Sequence, residues 1–430
     1  MSASLVDTPA RASAHVDPAV VTSDTETPVL YDDDEGGNAS GDDPAIWVHP
    51  GDDNASIVIV TAKEGGLRVY DLAGKEIQSI AATPAPRADG VDGRYNNVDI
   101  AYGLAFDGET VDVAVVSDRY NDQLRFWLID PAGVDAAVPL VEVTAAEQQF
   151  LFHSSRTAVD EGHTAYGVAV YQPATGSAYV VVTEEGATTI ATVEIVSADG
   201  GFGYTDIRHL DMPGAFRLPD GTTWIPCERP GVGPHLEGVS VDQRSGVLYA
   251  TQEDVGLWRI QLPLGESDPV LLDRVGDFGI HDDFDAESGE CRPRQDYATG
   301  FGGPNLTADA EGIDIYYGPG ATGYVIVSSQ GDDRYAVYST DGDNRPLSTF
   351  VIHGVGAVDD VNGSDGLAVT NRPVGPYQEG LLVTHDEPET GDDVDEDRQP
   401  TSFSYVSWPQ VAAALHLSVD TGAGNDPRFG

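Results

Sequence analysis

Four stretches of the chain follow one scheme, and a recurring scheme constrains the fold more than composition does. They are "YGVAVYQPATGSAYVVVTEEG" (166–186), "EGVSVDQRSGVLYATQEDVG" (237–256), "EGIDIYYGPGATGYVIVSSQGDD" (311–333) and "DGLAVTNRPVGPYQEGLLVTHDE" (365–387). Each sets a polar residue and Gly before an alternating strand. A Gly or Pro turn follows, then a β-branched strand ending in Thr or Ser with acids or amides. Two degenerate copies lie upstream, "DPAIWVHPGDDNASIVIVTAKEGG" from Asp43 and "NVDIAYGLAFDGETVDVAVVSDRYND" with Asp99. Asp43, Asp99, Tyr166, Glu237, Glu311 and Asp365 then lead six repeats spaced by about 64 residues. Repeats of about 40–50 residues, each a four-stranded sheet, mark propeller blades, and loop insertions account for the extra length. The reading is all-β: a six-bladed β-propeller with four-stranded blades and a short C-terminal helix over WPQVAAALHL, 408–417. An array of β-sandwiches would not explain one acid recurring at one place in each repeat.

Propeller geometry turns that spacing into a site. Each blade points the start of its innermost strand to the same channel mouth, so the six lead residues are expected to converge there. The ends of the second strands return to that face with Lys63–Glu64, Asp118–Arg119, Glu184–Glu185, Glu253–Asp254, Gln330 with Asp332, and Asp386–Glu387. Converging carboxylates raise one another's pKa unless cations sit among them. Oxygen-rich shells suit hard cations, Ca²⁺ better than Mg²⁺.

Charge narrows the partners. The chain carries 72 acids against 22 bases, a net −50, and its only lysines are Lys63 and Lys75. Nucleic acid and anionic membranes are therefore not expected as partners, and no apolar run approaches the roughly 20 residues of a membrane helix. Most of the acids read as a solvated surface. No His/Cys cluster or HExxH points to zinc, and His49, His163, His235 and His385 read as surface or packing residues. There is no GxSxG elbow, no phosphate loop after Cys227 or Cys291, and no Walker motif. The two cysteines leave one disulfide or two inert thiols open. What remains is a multi-cation site beside Lys63 and Arg119, a constellation fitted to phosphate ester hydrolysis. Taken alone, Arg119 could equally pair with Asp118 or Asp122, and Lys63 could be a solvated turn residue.

At these residues the chain resembles the β-propeller phytases, calcium-dependent alkaline phytases with six blades. The resemblance runs from about residue 26 to 417, through "DDPAIWVHP", "GLRVYDLAGKEIQS", "NNVDI", "SDR", "YGVAVY", "LEGVSVD", "LYATQED", "LTADAEGIDIYYGPGATGY", "SSQGDD", "SDGLAV" and "FSYVSWPQVA". It implies release of phosphate from calcium phytate (myo-inositol hexakisphosphate), of the 3-phytase type. It carries the catalytic calcium and water positions onto Asp42, Glu237, Glu253, Asp309, Glu311, Gln330 and Asp365. Phosphate contacts fall on Lys63, Arg119 and Tyr166. Structural calcium falls on Asp43, Val98 beside Asn97 and Asp99, Asp359 and Asp386, with Glu26 matching an N-terminal acid. The alternative is a calcium-stabilised propeller that binds a polyanion without hydrolysing it; another calcium propeller hydrolase, such as a lactonase, ranks third.

Three positions depart from the family pattern. Glu64 stands where a second lysine is expected, Glu184 and Glu185 occupy a shortened loop that lacks another, and Gln252–Glu253 replaces a glutamate pair. Arg87 or Arg94 is a candidate to compensate. The expected organisation is a disordered lead-in over 1–25, the propeller over 26–420 and a tail over 421–430. The first 25 residues lack the basic and apolar regions of an export signal. The expectation is a secreted monomer whose signal has been removed.

Overall fold

Runs of Val, Ile and Thr without polar alternation form strands covered on both faces. Ile57–Thr61 is one, with every side chain inaccessible to solvent. It pairs between Pro44–Trp47 and Leu67–Tyr70, and Glu76–Ile80 completes the antiparallel sheet. In the computed structural model, which describes residues 17–429 apart from 35–36, 88–89, 199, 295–299, 392–393 and 421–426, this sheet is the first of six blades.

Blade 2 runs Tyr95–Phe106, Glu109–Asp118, Gln123–Ile129 and Leu140–Glu142 from the channel outward, and blade 3 runs Ala165–Tyr171, Tyr179–Glu184, Thr189–Ala198 and Gly201–Asp211. Blade 4 is Leu236–Asp242, Val247–Gln252, Gly256–Gln261 and Val270–Arg274. Blade 5 is Ala310–Tyr317, Gly323–Ser329, Arg334–Ser339 and Pro346–Gly354. Blade 6 supplies only Leu367–Thr370, Leu381–Asp386 and Pro400–Ser407 from its own stretch of chain. Each inner strand touches its neighbours in order, and that of blade 6 touches that of blade 1, so the ring is closed. Cores of aliphatic and aromatic side chains fill the spaces between blades.

The N-terminal segment closes the ring. Thr25–Glu26 adds antiparallel to Pro400–Ser407 as the outer strand of blade 6, with Glu26 opposite Ser404. Ala19–Ser23 adds a fifth, parallel strand to blade 5. This corrects the expected disordered lead-in over 1–25: "AVVTS" is a β-branched run that becomes a strand once an open sheet edge is beside it. Residues 1–16 of that lead-in, and 421–426 and 430 of the expected tail, lie outside the described residues.

The C-terminal helix spans Trp408–Leu415 and ends at His416, whose φ is +58°. It is held by Trp408, fully buried with its ring 4.0 Å from that of Tyr316. A second, four-residue helix, Arg156–Val159, has no counterpart in the sequence reading. At the other face Arg428 donates to the carbonyl of Val48 at 2.7 Å and pairs with Asp112. Two insertions stand beside blade 4, and the Cys227–Cys291 disulfide joins them.

Candidate active site

The recurrent residue-plus-Gly pair has a steric cause. Inner strands pack so closely at the mouth that a Cβ on Gly238 would lie 2.3 Å from the carbonyl oxygen of Glu311. The same atom on Gly167 would lie 1.8 Å from that of Glu237, and on Gly312 2.5 Å from that of Asp365. Each glycine is therefore needed where the next blade's backbone passes. The residue before it sits in a bulge of the inner strand, between the paired positions Leu236 and Val239 in blade 4. The equivalent bulge in blade 2 lies between Tyr95 and Val98, which makes Asn96, not Asp99, the lead residue there.

Blade 1 shifts similarly. Gly366 packs against Asp42 and Asp43 and donates to the Asp42 carbonyl at 3.1 Å, so Asp42 leads and Asp43 occupies the glycine place. The ring at the mouth is thus Asp42, Asn96, Tyr166, Glu237, Glu311 and Asp365. It holds four carboxylates, not the five expected. Asp99 lies three residues deeper, where its carboxylate accepts from the Val170 amide of the next blade at 2.7 Å. Asp314 repeats this contact with Val369 at 2.7 Å. Both cap inner-strand edge amides that have no ladder partner.

A second ring comes from the second strands. Thr61, Ser117, Thr183, Thr251 and Ser328 end these strands at one equivalent level, with His385 in blade 6. Their side chains tie the mouth together: the Gly167 amide donates to the Thr183 hydroxyl at 2.8 Å, and the Thr251 hydroxyl donates to the Glu311 carbonyl at 2.7 Å. Two residues further on, Lys63, Arg119, Glu185, Glu253, Gln330 and Glu387 stand around the lead ring. Lys63 lies 3.6 Å from Asp365, whose carboxylate also accepts from the Gln330 amide. Arg119 lies 2.6 Å from Glu185 with its guanidinium 5.1 Å from the Tyr166 ring centre. Asp309 stands beside them, with Asp254, Asp365 and Glu237 as its charged neighbours.

The electrostatics show what this arrangement lacks. Glu237, Glu253 and Glu311 bring carboxylate oxygens within 4.8 Å of one another and are all buried. Burial, then the charges of Glu253 and Glu237, pushes Glu311 well above the ordinary carboxylate range. Burial raises Asp42 likewise, against the opposing pull of Lys63. Glu253 is pushed up to about 7 by burial, less the effect of His235, whose Nε2 lies 2.9 Å away. Asp309 rises to about 6, again by burial first. Burial works against the charge of Lys63, but Asp42 and Asp365 outweigh it and raise its pKa. Glu311 Oε2 and Asn96 Oδ1 are buried with no hydrogen-bond partner. An all-oxygen set with orphaned, mutually repelling acceptors fits a hard divalent cation.

The other predicted metal residues fall in two places. Asp359 and Asp386 meet Glu26 and Glu389 at the seam where the N-terminal strand joins blade 6. Glu26 Oε2, Asp359 Oδ1, Asp386 Oδ2 and Glu389 Oε2 are each buried without a partner, so this set fits a cation too. Burial pushes Asp386 up to about 9, and Glu26 and Glu389 to about 7. Asp43 and Val98 are neighbours below the mouth, where the Val98 amide donates to the Asp43 carboxylate at 3.0 Å.

Sequence reasoning missed four participants. Asn96 donates to Glu237 at 3.0 Å, but its place was masked by the more conspicuous Asp99. His235 and His385 were read as packing residues, yet His235 pairs with Glu253, and the imidazole of His385 accepts from the Asp365 amide at 3.2 Å. Glu389 carries no repeat signal, since it lies in the irregular loop between Leu381–Asp386 and Pro400–Ser407 of blade 6. Of the two candidate compensating arginines, Arg87 pairs with Asp160 at 2.9 Å on the surface, whereas Arg94 faces the mouth.

A family model described as Phytase matches residues 1–213 and 275–429; the stretch between holds blade 4. A curated 3-phytase of Bacillus subtilis (strain 168) is 32% identical over 415 residues, 95% of this chain and 88% of that protein. Among solved structures, BBS1N in complex with ARL6DN aligns at TM-score 0.40 and 10% identity over 84% of this chain and 76% of that one. A chain of the mitotic checkpoint complex aligns at 0.38 and 10% over 94% and 98%. Neither is close enough to bear on function. The family match and the 3-phytase do bear on it, and the chain belongs to the phytase family.

Proposed function

We propose that this enzyme releases phosphate from phytate at the ringed mouth, and that it does so only with calcium bound. The observation that carries the reading is the convergence of Glu237, Glu253 and Glu311 within 4.8 Å, beside Lys63 and Arg119. Glu237, Glu253, Asp309, Glu311, Asp42, Gln330 and Asp365 would hold the ions at the mouth. Glu26, Asp359, Asp386 and Glu389 would hold one at the seam, and Asp43 with Val98 one below. Bound calcium supplies charge neutralisation for phosphoryl oxygens and a more acidic water.

The side chains divide the remaining work. Lys63 and the Arg119 fork bind oxygens of the phosphoryl group, with Tyr166 holding the guanidinium in place through its ring face. Glu237, which accepts from the Asn96 amide at 3.0 Å and lies beside Glu253 and Glu311, is placed to take a proton from the attacking water. The water oxygen forms the new bond to phosphorus, the bond to the inositol oxygen breaks, and that oxygen is protonated as it leaves. A net charge of −50 repels free phytate but not its calcium complex, which makes the complex the better substrate. The Cys227–Cys291 disulfide supports a site of action outside the cell.

The test is phosphate release from phytate with Ca²⁺ and with excess chelator, on wild-type protein and on Glu237→Ala. Release should vanish in chelator, return with Ca²⁺, and fall by at least about a hundredfold in the variant. Full activity in chelator, or unchanged release from Glu237→Ala, would refute the reading.

A further inference from the structure

Arg119, which binds phosphoryl oxygens in the reading above, already has an anionic partner. Its Nη2 lies 2.6 Å from Oε1 of Glu185, the one carboxylate within ion-pairing distance of it among the described residues. A guanidinium whose edge meets a carboxylate has fewer free N–H donors to offer a phosphoryl group. The same Oε1 has a second cation beside it, because Arg229 Nη2 stands 3.4 Å away. Arg229 lies two residues past Cys227, in the loop between Gly201–Asp211 and Leu236–Asp242 that the disulfide ties to Cys291. One carboxylate is thus shared between a largely buried arginine at the mouth and an exposed arginine outside it.

The backbone around this carboxylate is fixed, so only its side chain can choose between the two. The Glu185 amide donates to the Thr164 carbonyl at 2.9 Å, and its own carbonyl meets His163 Nδ1 at 3.1 Å. The Gly233 amide donates to the Gly186 carbonyl at 2.8 Å, which holds the Arg229 loop beside the Glu185 turn. Alternation along the strand turns the preceding residue away. Glu184 faces Thr189, with His153, His163 and His209 as its titratable neighbours.

We propose that Glu185 is an internal competitor of phosphate for Arg119, and that Arg229 receives its carboxylate when phosphate binds. The inference rests on the hydrolase reading above and adds a control on affinity to it. Binding phosphate costs the Arg119–Glu185 contact, so apparent affinity falls with the fraction of molecules in which Arg119 is occupied. Return of Glu185 to Arg119 then favours departure of the orthophosphate product.

The probe is inorganic phosphate, followed by calorimetric binding to the calcium-loaded protein and as an inhibitor of phytate hydrolysis. Glu185→Gln should bind phosphate roughly tenfold more tightly and lower its inhibition constant by the same factor. Glu184→Gln removes an equal charge one residue away and should change neither. Arg229→Ala should weaken phosphate binding about threefold, and that loss should disappear in the Glu185→Gln background. Arg208→Ala, which takes an exposed arginine from its pair with Asp206, makes the same change in net charge and should have no effect. Unchanged affinity in Glu185→Gln, equal effects from either control, or an Arg229→Ala loss that persists without the Glu185 carboxylate would overturn the proposal. If wild-type protein released no phosphate from phytate, the hydrolase reading would fall, and calorimetric phosphate binding would still decide the competition.

Discussion

Removing the charge of Asp386 should reshape how stability depends on pH. Its carboxyl is fully buried beside Glu26, Asp359 and Glu389, and burial lifts it from 3.8 to about 9 when no cation is present. The folded chain therefore keeps a proton that the unfolded chain releases above its ordinary pKa. Stability from this group is present below about pH 4 and is lost as pH climbs toward 9. One proton is worth about 1.4 kcal/mol per pH unit. Between pH 5 and 8 the metal-free protein should lose on the order of 4 kcal/mol at this residue. An unfolding entropy of about 2.1 cal/mol/K per residue converts that into a Tm lower by roughly 5 °C. Calcium displaces the proton, so its stabilising effect should grow over the same interval. The assay is calorimetry of wild-type and Asp386→Asn protein at pH 5, 6, 7 and 8, each in chelator and in Ca²⁺. Asp386→Asn should show a flatter pH profile in chelator and a smaller gain from Ca²⁺. A wild-type profile in chelator parallel to that of the variant would refute the reasoning.

Two further perturbations test the ring. Gly238→Ala drives a Cβ into the Glu311 carbonyl and should cost about 3 kcal/mol by thermal denaturation. Gly51→Ala, where nothing lies within 4 Å, should change Tm little. Asp42→Asn should lower phosphate release about a hundredfold with little change in Tm, whereas Asp43→Ala, which strands the Val98 amide in the channel, should cost about 1–3 kcal/mol of stability. The opposite ranking of the last pair in activity and melting assays would show that Asp42 does not lead blade 1.

Much of this was legible because propeller repeats are local. Each blade is contiguous in sequence, so its strands and turns recur as text, and the glycine forced by the neighbouring carbonyl makes "YG", "EG" and "DG" visible. The reading slipped where that constraint relaxes. In blades 1 and 2 the glycine is replaced by Asp43 and Asn97, so nothing in the text marks Asp42 and Asn96 as the equivalent residues. Contacts between distant parts of the chain were not legible either. "AVVTS" shows strand propensity, but its partner Pro346–Gly354 lies more than 300 residues away, and no local pattern announces such an edge. Glu389 was invisible for a related reason: one of its companions, Glu26, comes from the opposite end of the chain. The pairing of His235 with Glu253 follows from the register that sets Leu236 opposite Gln252, one step further along the ladder, and that register is fixed by a bulge the sequence does not announce.

The junction between Thr25–Glu26 and Pro400–Ser407 gives the molecule a temporal order as well as a shape. Every other blade can assemble from residues made within a short interval of synthesis. The last one waits, because Glu26 is among the earliest described residues and its partner Ser404 among the latest. Without Thr25–Glu26 the Pro400–Ser407 strand would present a bare sheet edge, open to pairing with another copy. Glu26, Asp359, Asp386 and Glu389 gather at that junction, and ionised together they would oppose closure unless something neutralised them. A cation arriving at the junction would act as a clasp on a bracelet, and the circle would be finished by the medium into which the chain emerges.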